Sequence, residues 1–449
     1  MIFLIFISFI IIYSKIIKID YLLVYRNYLK IHKFLDLSFH HKINNRIKIG
    51  TYSFYLKNGG RSRVTSFLFN YLSKITIFDL YFFTNILKDN NEYFFNQKIT
   101  RILIKRYTIK NLIKKIRNKR IDIFIYQFSD FNEIEIFNNL KNIKIIFYQH
   151  QSLFFWIYAN YTNYKYLYKV YRKSKHCIIS LIHLENDYIF KKWGIKTILM
   201  NNFITYDYNY SLPSNLIYKN IIMIGRADDR FKRFKLGIQS MEYIVKEIPF
   251  SQMNIISNLT EIDFLRNIIN NLSLKNNIIF YDYTSNPENY YKNACLHIST
   301  SISESFSLVL SEAKIYGIPS ILLGCDYISI IKGGIVIIDD DSIESIAKEA
   351  IKIILNESYR KNMGKEARNS MIKFNNDLLL IRWIKLILSI YSSNSFNDTY
   401  YQYKDLYKKL SEKEALYILQ KQIKLFNIRK ISSKKIIINN LENINFIEN

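Results

Sequence analysis

Short apolar runs that alternate with amphipathic stretches are the feature that most restricts the fold of this 449-residue chain. Residues 121–126 and 143–148 are two such runs, and they lack the strict apolar–polar alternation of a half-exposed strand. Strands that are buried on both faces occur in parallel sheets with helices packed on each side. A doubly wound α/β fold is therefore predicted.

The alternation of strand and helix patterns runs twice along the chain. The first series begins with residues 46–50, a glycine loop and a stretch of helical spacing over 64–74. The second begins with residues 220–224, after a polar segment that contains Pro213. A chain of this length usually holds more than one domain. We predict two Rossmann-like domains that face a cleft. The predicted boundaries are 46–203 for the N-terminal domain, 204–219 for a linker, 220–372 for the C-terminal domain and 373–393 for a crossover helix.

The two ends of the chain differ from its centre. Residues 1–13 are apolar except for Ser8, and basic residues such as Lys15 and Lys18 follow. The run is shorter than the ~20 residues of a spanning helix and has no cleavage-site pattern. We expect a short membrane anchor over 1–25 and a basic connector over 26–45. An Ile-rich helix packed on the body of the protein is the alternative. Residues 394–449 are polar and are predicted to form a peripheral helical tail.

The predicted location follows from the same segment, because the basic residues after the apolar run would hold the rest of the chain in the cytoplasm, next to the membrane.

The net charge of +27 allows a nucleic-acid or anionic-membrane partner. It equally fits a chain rich in Lys, Ile, Asn and Tyr, with its lysines dispersed. We favour the second interpretation, with residual affinity for an anionic membrane surface and no nucleic-acid partner. The three cysteines form no C-x-x-C pair, so zinc and redox motifs are not indicated.

Two glutamates, Glu304 and Glu312, lie eight positions apart after the apolar run 294–300. The pattern predicts a strand, a turn that carries Glu304, and a helix with Glu312 about two turns inside it, roughly 12 Å further along the axis. Free N–H groups at the start of such a helix form an anion site. A sugar at one carboxylate, a ribose at the other and phosphate between them would fit a sugar nucleotide.

A basic loop follows the predicted strand 220–224. Its glycine, Gly225, lets the chain turn at the carboxyl end of the strand, where open α/β sheets bind ligands. Arg226 offers a fork of donors for phosphate oxygens, and Lys232 offers a mobile point charge. Positive charge there would stabilise a departing diphosphate.

Together these motifs resemble the retaining GT-B glycosyltransferases of family 4, well over residues 220–370 and loosely over 47–202. The matches are the basic loop, the glutamate pair with the Gly317-Ile-Pro319 turn after it, and residues 360–368. The resemblance implies a retaining hexosyltransferase that moves a sugar from a nucleotide diphosphate sugar to a hydroxyl of a glycan, lipid or protein acceptor.

The resemblance also implies roles for individual residues. Glu304 looks like the carboxylate that contacts the donor sugar, and Glu312 like the one that binds the ribose. The backbone amides of Ser307 and Leu308 would face the diphosphate. His150, at the end of a predicted strand, matches a histidine close to the sugar on the acceptor side.

Further matches and departures complete this assignment. Asn58-Gly59-Gly60 resembles the glycine loop that approaches the donor from across the cleft. The family usually has glycine at Ser305 and Ser307, and serine fits if its backbone stays in an ordinary region. Because the basic loop is one residue longer than usual, Arg233 competes with Lys232 for the lysine role.

No metal or other cofactor is expected. The acidic run Asp339-Asp340-Asp341 matches a D-x-D motif, but it lies near the predicted domain edge and is far from the basic loop in sequence. Arg226, Lys232 and the helix dipole would instead stabilise the leaving phosphate. One alternative is a non-catalytic, basic GT-B-like protein that binds anionic membrane or nucleic acid. Another is a GT-B phosphorylase, although the chain shows no lysine in the expected cofactor context.

Overall fold

Two parallel β-sheets with helices on their faces make up the described part of the chain. The computed structural model describes residues 46–392 apart from 55, 57–58, 87–91, 106–107, 128–139, 141–142, 153–167, 169–170, 173–176, 207, 209–210, 285, 325–327 and 329. The predicted anchor, connector and tail lie outside these residues, as does Asn58. The two sheets confirm the prediction of an α/β fold with two Rossmann-like halves.

The first sheet has seven strands within the described residues, in the order β3-β2-β1-β4-β5-β6-β7. Its strands are β1 (Ile47–Tyr52), β2 (Phe78–Thr84), β3 (Thr100–Leu103), β4 (Ile123–Tyr126), β5 (Lys144–Tyr148), β6 (Cys177–Ser180) and β7 (Ile198–Leu199). The helices of this half are α1 (Gly60–Leu72), α2 (Ile109–Asn118) and α3 (His183–Trp193). In the centre, β1 pairs in parallel with β4, so the strand order reverses its direction between them.

The second sheet has the order β10-β9-β8-β11-β12-β13, and all of its pairs are parallel. Its strands are β8 (Asn220–Ile224), β9 (Gln252–Ile256), β10 (Ile278–Tyr281), β11 (Leu296–Ser299), β12 (Ser320–Leu323) and β13 (Ile335–Ile338). Its helices are α4 (Phe234–Glu247), α5 (Asp263–Asn271), α6 (Glu288–Lys292), α7 (Leu308–Ile315), α8 (Ile343–Leu355) and α9 (Glu357–Ser370). The strand order again reverses in the centre, between β8 and β11.

Apolar strand residues fill the space between sheets and helices. Every residue of β4, β6 and β12 is buried, as expected for strands covered on both faces. In the second half, Ile255, Ile298 and Ile321 belong to one core cluster that also includes residues of α4 and α8. Burying such a side chain stabilises the fold by about 1.5–3 kcal/mol.

A final helix, α10 (Asn376–Ser392), follows the second half but packs on the first. Lys144 on β5 donates to the backbone oxygens of Ile390 and Tyr391, at 2.7 Å each. The Trp383 ring lies 5.3 Å from the ring of Tyr148 in an edge-on contact. The chain therefore crosses back to the first half at its end.

Several elements differ from the predicted ones. The pattern over 64–74 underestimated α1, which begins at Gly60, and β2, β3, α2 and α3 were not predicted. The burial of β2 alternates along most of its length, and β3 has only four residues with one buried. Neither therefore shows the continuous apolar run that marked the other strands. None of the helices in the described region is long and apolar enough to cross a bilayer.

Candidate functional site

The candidate site begins at the centre of the second sheet, where the strand order reverses. Gly225 follows β8, and the loop from Thr300 to Glu304 follows the neighbouring strand β11. Ligands of open α/β sheets bind at the carboxyl ends of strands at such a reversal point. The basic loop and the first glutamate are thus brought together by the fold, as the sequence predicts.

A small cavity with room for about one water molecule lies at this point. The ammonium of Lys232 and a carboxylate oxygen of Glu304 lie 2.6 Å apart on its wall. The cavity is lined by Ile224, Lys232, Phe234, His297, Ile298, Ser299, Thr300, Ser301, Glu304, Ser307 and Val309. A cation, a carboxylate and the first residues of α7 therefore share one polar pocket.

The basic loop shapes the entrance to this cavity. A side chain at Gly225 would begin 3.6 Å from the Lys232 stem and 3.5 Å from the ring of Phe234. Glycine therefore keeps the space beside Lys232 open. Arg226 is exposed and makes no hydrogen bond or ion pair with a described residue. Its guanidinium can reach an anion without first breaking a contact within the protein.

Arg233 bonds to other parts of the protein, whereas Lys232 lines the cavity. Its guanidinium donates to the backbone oxygen of Thr300 at 2.8 Å and to the two carboxylate oxygens of Asp341 at 2.6 and 3.1 Å. A bidentate pair of this kind fixes the arginine firmly. Lys232 therefore lines the cavity, while Arg233 holds the loop to the start of α8. Asp341 is far from the basic loop in sequence but contacts it in the fold.

The start of α7 departs from two expectations. Ser307 caps the helix with φ +57° and ψ 87°, so its backbone is left-handed rather than ordinary. A non-glycine residue in this region costs roughly 1–2 kcal/mol. Because α7 begins only at Leu308, Glu312 lies about one turn inside the helix and not two. No side chain caps the helix, which leaves its first N–H groups open to an anion.

Glu312 lies outside the cavity and is fully buried. One carboxylate oxygen accepts bonds from the Arg63 guanidinium and, at 2.6 Å, from the Thr205 hydroxyl. The other accepts from the Tyr291 hydroxyl at 2.6 Å. Burial alone would lower the pKa of Arg63, but Glu312 beside it raises that pKa above its ordinary value. The two halves of the protein therefore meet at this carboxylate.

The glycine loop contributes a second contact between the halves. Gly59 has φ +130° and caps α1, and its N–H lies 3.4 Å from the hydroxyl oxygen of Tyr283. A Cβ on Gly60 would lie 3.6 Å from the Leu308 side chain at the start of α7. The loop thus approaches the same helix N-terminus that borders the cavity. That position agrees with the predicted approach from across the cleft.

His150 follows β5 on the first half and faces the Glu304 loop. Its backbone oxygen accepts a 2.6 Å bond from the Ser305 hydroxyl, and the hydroxyl oxygens of Ser152 and Ser303 lie 2.9 Å apart. The ring lies 4.3 Å from that of Tyr148, and its Nε2 has no hydrogen-bond partner in the part of the chain that the structure describes. Burial, with the charge of Arg61, lowers the pKa of His150 to about 3. The imidazole is therefore neutral at neutral pH.

Sequence reasoning missed the residues that hold Glu312. Arg63, Thr205 and Tyr291 come from α1, from the segment between the halves and from the end of α6. No local pattern marks them, because their partner lies up to 249 positions away.

His297 was interpreted from the sequence only as part of a strand. It lines the cavity, and its Nδ1 lies 3.1 Å from Ser320 Oγ. Within the described residues, no group of three or more His, Cys, Asp or Glu side chains could hold a metal ion.

Comparison with known proteins agrees with this geometry. Residues 211–370 match the family described as Glycosyl transferases group 1. That segment contains β8 to β13 and all of the cavity residues. The solved structure of sucrose-phosphate synthase from Thermosynechococcus elongatus superimposes with a TM-score of 0.64 at 15% identity, over 77% of this chain and 100% of that one. The fold of the chain is thus the GT-B fold of such enzymes.

Two curated relatives are similar in sequence. The poly(glycerol-phosphate) alpha-glucosyltransferase of Bacillus subtilis is 26% identical over 170 residues, which is 37% of this chain and 25% of the relative. The poly(ribitol-phosphate) alpha-N-acetylglucosaminyltransferase of Staphylococcus aureus is 26% identical over 164 residues, or 35% of this chain and 33% of the relative. The chain therefore matches only a quarter to a third of the length of these relatives.

Proposed function

We propose that this protein transfers a hexosyl group from a nucleotide diphosphate sugar to an acceptor hydroxyl. The match of residues 211–370 to Glycosyl transferases group 1, within a GT-B fold, supports this proposal. One observation carries the proposal. Lys232, Glu304 and the uncapped start of α7 share a cavity where the strand order of the second sheet reverses. These groups offer a cation, a hydroxyl-binding carboxylate and free N–H groups, which are what a diphosphate-linked sugar requires.

In this proposal the basic loop and α7 bind the diphosphate. Lys232 and Arg226 stabilise the negative charge that develops on the leaving phosphate, together with the amides of Ser307 and Leu308. Glu304 accepts hydrogen bonds from the hydroxyls of the sugar. The 2.6 Å contact between Lys232 and Glu304 is half-exposed and must open when the donor enters between them. The arrangement is proposed to work without a metal, because Lys232 and Arg226 would supply the positive charge at the phosphate.

Glu312 is proposed to bind the ribose diol of the donor. Both of its oxygens are already bonded to protein donors, so a diol can bind only when one of these donors withdraws. Arg63 belongs to the other half of the protein, and a small separation of the halves would release it. The donor would therefore enter a slightly opened cleft, and closure would then exclude water.

The transfer is proposed to retain the anomeric configuration. The bond between the anomeric carbon and the phosphate oxygen breaks, and the acceptor oxygen bonds to that carbon on the same face. The proton of the acceptor hydroxyl passes to the leaving phosphate oxygen. Both curated relatives are named alpha-transferases, and an α product from an α-linked nucleotide sugar means retention. His150, which is neutral near pH 7, would hydrogen-bond a hydroxyl on the acceptor side of the sugar and not supply a proton.

A polyol phosphate is the acceptor class that we propose to test first. The two relatives are named for poly(glycerol-phosphate) and poly(ribitol-phosphate). A polyanionic acceptor also suits a chain with a net charge of +27, because opposite charge speeds encounter. Glycans, lipids and proteins remain the broader set of acceptors.

A nucleotide-sugar panel tests the proposal directly. The purified chain is incubated with UDP-, GDP- and ADP-linked hexoses, and melting temperature and donor hydrolysis are measured for each. Lys232→Met and Glu304→Gln should abolish turnover of the active donor. Lys235→Met, an exposed lysine three residues further along, is the matched control and should keep it.

Two results would count against the proposal. Full turnover in both Lys232→Met and Glu304→Gln would remove the cavity from the reaction. A melting temperature that no nucleotide sugar changes, together with salt-sensitive binding to anionic vesicles or RNA, would favour the non-catalytic alternative.

A further inference from the structure

Gln127, the residue after β4, carries an unexplained buried amide. The residue is 5% exposed, and one end of its amide lies 2.8 Å from the Thr65 hydroxyl on α1. The other end, placed as Nε2, has no hydrogen-bond partner among the residues that the structure describes. A buried polar atom without a partner destabilises the fold. Such atoms are few in native proteins, and each one calls for a physical reason.

The position of Gln127 suggests that reason. β1 and β4 are the central pair of the first sheet, where its strand order reverses. Gln127 therefore lies at the ligand-binding edge of the first half, as Gly225 does in the second. Nothing in the sequence marked it, because a single glutamine after an apolar run fits no motif.

His150 lies on the same face of the sheet as Gln127. Tyr126 pairs with Phe147, so Gln127 falls opposite Tyr148, and side chains two residues apart along a strand share a face. Both side chains are also near the start of α1, since Gln127 contacts Thr65 and the charge of Arg61 acts on His150. Two buried polar atoms without a partner among the described residues, one on each side chain, thus lie on one face of the sheet near the start of α1.

The opposite wall of this region is the loop that carries Glu304. Ser305 donates to the His150 backbone oxygen, and the hydroxyls of Ser152 and Ser303 are within hydrogen-bond distance of each other. A sugar held at Glu304 would therefore have its acceptor side toward His150 and Gln127.

We propose that the free amide end of Gln127, together with His150 Nε2, binds the polyol acceptor beside its reacting hydroxyl. This inference rests on the proposed function. A polyol presents oxygens that both donate and accept hydrogen bonds, so it suits an amide and a neutral imidazole together. Binding the acceptor next to the reacting oxygen leaves that oxygen free to attack and its proton free to leave. Gln127 would then determine acceptor affinity while contributing nothing to donor binding.

The test uses the full chain and Gln127→Met, which keeps the side-chain length and removes both polar atoms. Donor hydrolysis by water and transfer to ribitol, glycerol 3-phosphate and poly(glycerol phosphate) are measured with the donor selected by the panel. The acceptor KM should rise about tenfold or more, as expected for one lost hydrogen bond to substrate. The donor KM and the hydrolysis rate should not change. Gln252→Met, at the start of β9 in the second sheet, is the matched control and should leave all three quantities unchanged.

Melting temperature separates this role from a structural one. Gln127→Met removes the Thr65 contact as well as the unpartnered amide end, but the Thr65 hydroxyl can still donate to the backbone oxygen of Arg61 at 2.8 Å, so the melting temperature should change little. A lower melting temperature with slower hydrolysis would show that Gln127 only supports the fold, and would overturn the inference. An unchanged acceptor KM would overturn it as well. Hydrolysis without transfer to any of the three polyols would reject the polyol site but keep the donor site, whereas no donor turnover would reject both.

Discussion

The guanidinium of Arg63 on α1 contacts the carboxylate of Glu312 on α7, and both side chains are buried. The contact joins the first half of the chain to the second. Arg63 also lies over the ring of Tyr93, 5.4 Å from its centre. Burial raises the pKa of the Tyr93 hydroxyl to about 12, although the charge of Arg63 acts to lower it. This cluster is one of several polar connections between the two halves.

Removing Arg63 should therefore destabilise the protein. Arg63→Met leaves the Glu312 carboxylate buried without its cation, and breaking a buried pair in this way costs about 3–5 kcal/mol. The measurement is the free energy of unfolding in urea. Arg61→Met, an exposed arginine two residues earlier, should change it by less than about 0.5 kcal/mol.

A double variant shows whether the loss belongs to the pair. Arg63→Met combined with Glu312→Gln removes both charges, so part of the lost stability should return. Purely additive losses in the double variant would mean that the two side chains do not interact.

Two serines in the Glu304 loop should respond in opposite directions to the same substitution. Ser307 has a left-handed backbone, so Ser307→Gly should raise the free energy of unfolding by up to about 1 kcal/mol. Ser305 has no positive φ, and its hydroxyl bonds the His150 backbone oxygen. Ser305→Gly should therefore lower the same quantity by about 1 kcal/mol. Equal effects at both positions would contradict the assigned backbone of Ser307.

The second half was predicted more accurately than the first, and particular residues show why. The predicted strand over 220–224 agrees to the residue with β8, and β11 lies within the predicted strand over 294–300. Both have strong periodic or continuous apolar patterns, which depend only on neighbouring residues. Local pattern also brought Lys232 and Glu304 to one site, because both follow central strands of the same sheet. Strand β3 was missed because one buried residue in four gives no such pattern.

Contacts between the halves could not be predicted from local patterns. Glu312 was expected at an open ligand site, but its donors come from segments 21, 107 and 249 positions away. The left-handed backbone of Ser307 was also not foreseen, because serine carries no preference for that region. Gln127 became visible only when the sheet order placed it at a reversal point.

Acid should destabilise the protein before its carboxylates begin to protonate. Burial lowers the pKa values of His150 and His297 to about 3, and that of His183 to about 4. The unfolded chain binds protons at these histidines near pH 6.5, whereas the folded chain does not. Stability is thus complete above pH 6.5 and falls as the pH decreases, by up to about 1.4 kcal/mol per pH unit for each histidine.

Replacing His297 shows how much of this pH dependence of the unfolding free energy comes from that residue. His297→Gln keeps a polar partner for Ser320 and removes one titrating group. Unfolding free energies measured between pH 6.5 and 4.5 should fall less steeply in this variant than in the parent chain. Identical slopes would show that His297 titrates alike in the folded and unfolded states.

Lys314 should make the free energy of unfolding depend on pH in the alkaline range as well. Its ammonium is fully buried on α7 and donates to the backbone oxygen of Lys332 at 2.6 Å. Burial, with the charge of Lys373, lowers the pKa of Lys314 from 10.5 to about 7. Between these values the unfolded chain binds the proton and the folded chain does not, so stability due to this group increases with pH. The expected slope is about 1.4 kcal/mol per pH unit.

The slope of the free energy of unfolding should be measured between pH 7.5 and 9, below the titration of the tyrosines. Lys314→Met should lose the slope, whereas Lys348→Met, an exposed lysine on α8, should keep it. An equal slope in both variants would place the titration elsewhere in the chain.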